Sequence, residues 1–248
     1  MKIGIIGVGH IGKTLALKLA ESGHDTAVAN SRGPESIDQE VLATGAKATT
    51  IQEVIQGKDV IILSIPLNRI PEIAPLLADI PEETTIIDTS NYYPVRDSKI
   101  DAIEAGMVES LWVIEQLGRP VSKAWNAIGS HSLLVNGKPE GAEDRIAIPL
   151  AADRDIDRKV TIQLINDTGF DAFDTGSLSD SWRQQPGAPV YGTDLTRTEL
   201  ADVVDKAEKQ WLPKRRDIAV AALQERMGDE TTNPDVDYGL RLSRALFL

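Results

Sequence analysis

The hexapeptide Gly7-Val8-Gly9-His10-Ile11-Gly12 has the G-x-G-x-x-G spacing by which a backbone turn cradles a diphosphate. In that arrangement Gly7 permits a tight turn, Gly9 lets the backbone approach the diphosphate, and Gly12 allows a helix to lie close to a strand. Free N–H groups and the dipole at a helix N-terminus would attract the negative charge. The competing reading is an ordinary glycine-rich turn that binds nothing. A buried-strand pattern ending at Ile6 and an amphipathic pattern opening at Ile11 favour the dinucleotide site. The end of the second strand pattern is the next discriminating place. An NAD site puts Asp or Glu there for the ribose hydroxyls, whereas this chain has Ala29-Asn30-Ser31-Arg32 and no carboxylate until Glu35. A hydroxyl and a planar guanidinium suit a 2′-phosphate, so Ser31 and Arg32 read as selectors of NADP(H), with Asn30 beside them. Ser64-Ile65-Pro66 and the Asp88–Asn91 stretch with Thr89 follow strand patterns and fall where the nicotinamide end would lie; they serve equally well as caps or turns.

Other residues could handle protons or an acceptor. Lys123, Asn126 and His131 are the weak candidates for catalysis: Lys123 and His131 as proton donors, Asn126 to orient a substrate oxygen. Lys123 reads first as a strand-end lysine whose head reaches water. The Ser181–Tyr191 segment is long for a connection and combines amides with Trp182, Arg183 and Tyr191; it is the candidate substrate loop, a dimer contact or stiffened surface loop being the alternative. Trp182 or Tyr191 could stack on an aromatic acceptor, and Arg183 could meet an acidic group. Lys214-Arg215-Arg216 reads as a solvated basic face. No metal site is expected, since His10, His24 and His131 share no ligand spacing, and the absence of Cys excludes thiolate chemistry.

The elements required to position these groups are legible as alternating patterns. Strand patterns occupy residues 2–6, 25–29, 46–49, 59–64, 85–88, 121–127, 145–151 and 170–174. Helical patterns occupy residues 11–22, 35–43, 51–56, 70–78, 160–166, 199–226 and 235–246, with a loop over 178–193. Short strands separated by helices predict an α/β fold: a Rossmann-type, doubly wound, mainly parallel sheet with the C-terminal helices packed on it. The continuous run Val60–Pro66 fits a strand buried on both faces. A soft boundary near 175 separates an NADP-binding domain with extra strands (1–175) from a substrate-side loop and C-terminal helices (176–248).

The chain carries 26 Lys plus Arg against 38 Asp plus Glu, a formal charge of −12. Such a surface repels phosphate backbones and anionic lipid, so neither nucleic acid nor membrane is an expected partner. Glycines interrupt the apolar N-terminus and no apolar run spans a bilayer, which together predict a cytoplasmic protein.

The opening KIGIIGVGHIGKTLALKLAESGHDTAVANSR resembles the deazaflavin-dependent NADP reductases, the family that includes F-420:NADPH oxidoreductase. The glycine hexapeptide, the Gly23-His24 turn, the Ser31-Arg32 pair and Val121–Asn126 carry the likeness; the segment at Trp182–Gly187 and the long C-terminal helices depart from it and suggest a bacterial side branch. The resemblance implies NADPH on the N-terminal domain, a flat flavin or deazaflavin acceptor as co-substrate, and a homodimer. The expectation is thus an NADPH-dependent oxidoreductase passing hydride to a flavin, deazaflavin or similar conjugated small molecule. A small ketone or imine reductase and a non-catalytic NADP(H) sensor are the alternatives.

Overall fold

In the computed structural model, residues 1–227 and 236–248 are described. β1 (Lys2–Ile6) is followed by α1 (His10–Glu21), β2 (Asp25–Ala29), β3 (Lys47–Ala48), β4 (Val60–Leu63), α2 (Ile70–Leu77) and β5 (Thr85–Asp88). Next come α3 (Pro94–Asp97), α4 (Asp101–Glu104), α5 (Glu109–Leu117), β6 (Ser122–Lys123), α6 (Ser130–Val135), β7 (Ala147–Ala152), α7 (Asp155–Asp167) and β8 (Asp171–Asp174). The chain ends with α8 (Arg197–Val203), α9 (Leu212–Met227) and α10 (Val236–Phe247).

The eight strands form one sheet in the order β3-β2-β1-β4-β5-β6-β7-β8. Its first six strands have the order of a dinucleotide-binding doubly wound sheet. β1 pairs in parallel with both β2 and β4, placing Ile5 between Val28 and Ile62. Among the described strands, only the β6–β7 pair is antiparallel, with Lys123 opposite Ala151. Alternating side chains feed two cores. Ile3, Ile5, Val28 and Ile62 join Leu15 and Leu19 of α1 on one face. On the other, Ile61 and Leu63 join Ile73 and Leu77 of α2 and Val113 of α5. Full burial of each such side chain contributes about 1.5–3 kcal/mol, so the continuous apolar run of β4 is a strong determinant of the layered arrangement.

All eight predicted strands exist, several shorter than their apolar patterns. The 121–127 pattern yields only Ser122–Lys123 as strand, because the chain turns at Trp125, whose φ of +55° cannot continue a ladder. The expected helix over 35–43 is two short 3-10 turns, Pro34–Ser36 and Gln39–Leu42, separated by the extended Asp38. The expected helix over 51–56 is a series of turns that crosses tightly over β1; a Cβ on Gly4 would sit 2.0 Å from Val54 O. The single helix expected over 199–226 is broken into α8, two 3-10 turns and α9, since Ala207 and Glu208 adopt extended backbone. The pattern at 235–246 becomes α10, and Asp235 lies outside the described residues. Helices α3 to α6 have no counterpart in the sequence reading. The segment after 175 is tied to the sheet through Ala147 N–H to Leu195 O (2.8 Å) and an Ile146–Thr196 bridge.

Candidate active site

The glycine hexapeptide forms the turn from β1 to α1. Gly7 has φ +104°, and a Cβ there would lie 2.1 Å from Ser64 O, so both the turn and the adjacent end of β4 require glycine. A Cβ on Gly12 would lie 2.0 Å from Gly7 O and 3.1 Å from Ser64 Cβ, which is why α1 can start so close to the sheet. Gly9 differs: a Cβ added there meets nothing within 4 Å. Gly9 caps α1 without a side-chain hydrogen bond, and the first intrahelical bond is Lys13 N–H to Gly9 O (2.9 Å). The N–H groups of His10, Ile11 and Gly12 therefore emerge from the helix end beside an open surface. That donor set and clearance fit a diphosphate.

At the end of β2, Asn30 Oδ1 accepts the Arg32 N–H (2.9 Å) and Asn30 Nδ2 donates to Ser36 Oγ (2.9 Å), fixing the turn before Gly33 at φ +96°. Ser31 and Arg32 are exposed, and the Arg32 guanidinium has no hydrogen bond or ion pair among the described residues. A free guanidinium presented by a fixed turn at the second strand end fits the 2′-phosphate of NADP(H). Together these residues could hold the cofactor through its two charged groups.

From the start of α1, a cleft of about 750 Å³ extends past the carboxyl ends of β5 and β6 to α9 and α10. His10, Ile11, Thr89, Trp125 and Asn126 line its sheet side, and Arg216, Ala219 and Leu223 its helical side. A polar network stiffens the floor. Asn91 Nδ2 donates to Asn126 O (2.8 Å) and Tyr191 OH (3.1 Å), while Asn126 Nδ2 donates to Asn91 Oδ1 (3.0 Å) and Gln184 O (2.8 Å). Gln184 is fully buried and donates in turn to Asn126 Oδ1 (2.9 Å). The hydroxyls of Tyr93 and Tyr191, both at the cleft, are 2.6 Å apart. Desolvation pushes both phenols above their ordinary pKa; Tyr191, with Tyr93 against it, is held well above. Both remain protonated and able to donate at neutral pH. Trp125 is fully buried, and its indole Nε1 has no hydrogen-bond partner among the described residues.

The sequence candidates are distributed unevenly around this cleft. His10, Ile11, Thr89, Asn126 and Tyr191 line it. Val8 stands in the glycine turn, and Ser64 and Ile65, with Pro66 after them, pack behind it. Lys123 does not reach water: it is fully buried, and Nζ donates to Asp88 Oδ2 and Ser90 O, both at 2.6 Å. It ties β6 to the end of β5 and is not at the cleft surface. His131 is exposed on α6 and outside the cleft lining. Trp182 and Arg183 stack on each other (4.5 Å), and Arg183 pairs with Asp180 (2.6 Å); neither lines the cleft. The 178–193 loop begins as a 3-10 helix, Leu178–Gln184, that carries Gln184 into the core. Arg216 is not part of a solvated face but 7% exposed, one residue after the half-buried Arg215. Its position four residues beyond Leu212 and three before Ala219, both buried, was a helical-spacing signal for that orientation. Tyr93 and Arg96 lie in a segment whose pattern identified no element.

A second cavity of about 650 Å³ shares Pro186 and Arg216 with the cleft and is lined by Glu104, Glu109 and Glu208. Glu109 is 1% exposed, accepts Tyr92 N–H (3.2 Å) and Gln185 Nε2 (3.1 Å), and has its pKa raised to about 7 by burial.

Residues 2–92 match the family NADP oxidoreductase coenzyme F420-dependent. Over 74 residues the chain is 40% identical to protein YjhV of Escherichia coli K12, covering 30% of this chain and 54% of that one. Over 101 residues it is 35% identical to an NADPH-dependent reductive aminase of Aspergillus oryzae, covering 40% of this chain and 33% of that enzyme. The aligned stretches thus span about half or less of these relatives. A solved Arthrobacter sp. FB24 protein, named a putative F420-dependent NADP-reductase, shares the fold with TM-score 0.58 at 15% identity, over 90% of this chain and 94% of that one. Across residues 2–92, the resemblance carried by the glycine hexapeptide, Gly23-His24 and Ser31-Arg32 is therefore one to the F420-dependent NADP oxidoreductases as a family.

Proposed function

We propose that this chain is an NADPH-dependent oxidoreductase that reduces a C=O or C=N acceptor bound in the 750 Å³ cleft. The observation that carries the acceptor class is the Tyr93–Tyr191 hydroxyl pair in a cleft that begins at the glycine turn. The Gly7–Gly12 turn and Arg32 would hold NADPH, which would supply the hydride. Two hydroxyls in contact use one O–H between them, and the second O–H is left to donate to a ligand. Reduction of a carbonyl or imine concentrates negative charge on its heteroatom, and a phenol kept protonated by burial can neutralise it. Asn91 donates to the Tyr191 hydroxyl and is itself held by Asn126, so the orientation of that phenol is built into the site before ligand arrives.

A second reading, a flavin or deazaflavin acceptor, is favoured by the family match over residues 2–92. The homodimer implied by the resemblance belongs to the same proposal and is read by sedimentation velocity. NADPH oxidation is followed with ketones, imines, flavin and deazaflavin. Turnover of a carbonyl or imine, reduced about 10²–10⁴-fold in the Tyr93→Phe/Tyr191→Phe double variant, is expected. Turnover of flavin or deazaflavin alone, unaffected by those changes, supports the second reading. Tight NADPH binding with no turnover on any acceptor overturns both in favour of a sensor.

A further inference from the structure

Arg216 sits where the cleft meets the second cavity, and its side chain is 8% exposed. Its Nε donates to Asp217 Oδ1 (2.8 Å), and its guanidinium lies 5.3 Å from the Tyr92 ring centroid. Neither Nη group has a hydrogen bond among the described residues. The guanidinium is not sealed in: neither Nη is a fully buried atom, and both open onto the cavities that Arg216 lines. Without a protein partner, they are free to donate to an anion that enters. The second cavity is an unsuitable source, since Glu104, Glu109 and Glu208 line it and would repel one. The cleft is the reverse. Its lining includes no Asp or Glu, although the chain carries a formal charge of −12, and it holds a second guanidinium at Arg96. Arg96 forms a two-point ion pair with the buried Asp97 (2.8 and 3.0 Å) and donates to Asn91 O (2.6 Å), which leaves its Nη1 without a bond among the described residues. Tyr93, Arg96 and Arg216 all line the cleft, so the two guanidinium groups and the proton donor share one compartment.

Resting on the reductase reading above, we propose that the acceptor carries an acidic group, carboxylate or phosphate, which Arg216 grips through its two Nη groups with Arg96 as the second cation. This positions the reducible carbon between the charged wall and the glycine turn. It makes Arg216 the residue that separates acidic acceptors from their neutral twins.

The test uses NADP⁺-loaded full-length protein titrated by calorimetry with phenylpyruvate, its methyl ester and inorganic phosphate, alongside NADPH oxidation with the first two. The expected result is binding of phenylpyruvate at least about tenfold tighter than of the ester. Arg216→Gln should erase that preference by about 10–100-fold, and Arg216→Lys should retain part of it. Thermal melts and NADPH affinity of both variants report whether the fold survives. Phosphate that competes with phenylpyruvate confirms a shared anion site; phosphate that binds through Arg216 where phenylpyruvate does not identifies the acidic group as phosphate. Equal affinity for acid and ester with no anion binding, or an acid preference untouched in folded Arg216→Gln and Arg216→Lys, overturns the proposal. Anion binding through Arg216 without NADPH oxidation on any acceptor keeps the anion site and overturns the reductase reading. Oxidation with no preference for acids does the opposite.

Discussion

Replacing Arg32 with alanine separates the cofactor assignment from general effects on the fold. The side chain is exposed and forms no ion pair among the described residues, and the bond to Asn30 Oδ1 comes from the backbone N–H, which alanine keeps. The stability change should therefore stay within about 0.5 kcal/mol. A charge-assisted hydrogen bond to a 2′-phosphate contributes about 1.5–3 kcal/mol, equivalent to roughly 10–150-fold in affinity. Solvent screens this turn, which places the loss for NADPH at the lower end, about 10–30-fold near physiological salt and less as salt rises. NADH lacks that phosphate and should bind wild type and variant alike. Calorimetric titration of both proteins with both dinucleotides reads the four affinities. Equal losses for NADPH and NADH, or none for either, would refute the selector role of Arg32.

The glycine turn and the buried carboxylate give two further expectations. Gly12→Ala puts a Cβ 2.0 Å from Gly7 O, a backbone atom that cannot yield, so it should destabilise the protein by about 1–3 kcal/mol and weaken NADPH binding, measured by denaturant melts and titration. Glu109, with its pKa raised to about 7, binds its proton more tightly folded than unfolded, so its contribution is full below about pH 4 and is lost as pH rises through 7. The total is on the order of 3 kcal/mol. Urea melts across that interval should show a stability decline in wild type that Glu109→Gln lacks; identical slopes would remove Glu109 as its source.

The cofactor half of the site was legible because its requirements are local. Turn and close helix approach demand glycine at Gly7 and Gly12, where a Cβ would meet backbone, while Gly9 leaves open space beside the helix end. The strand patterns were equally readable, since burial on both faces forces continuous apolar runs such as Val60–Leu63. The acceptor half was readable only in part: Asn126 and Tyr191 were candidates and line the cleft, whereas Tyr93 and Arg216 were missed. Tyr93, Asn126, Tyr191 and Arg216 come from four separate segments, and only tertiary packing brings them to one cleft. Lys123 shows the converse: its type suggested chemistry, yet its partner Asp88 is 35 residues away in sequence, and the pair is internal structure. The 35–43 and 51–56 helices failed because Asp38 and the close approach to Gly4 impose turns where apolar spacing alone suggests α-helix.

The central claim is that the first βα turn seats a phosphorylated dinucleotide. Calorimetric titration of the purified chain with NADPH tests it most directly. One NADPH per chain with micromolar or tighter affinity, at least about tenfold tighter than NADH, is the expected result. Absence of binding heat across several temperatures, or a preference for NADH, would contradict it.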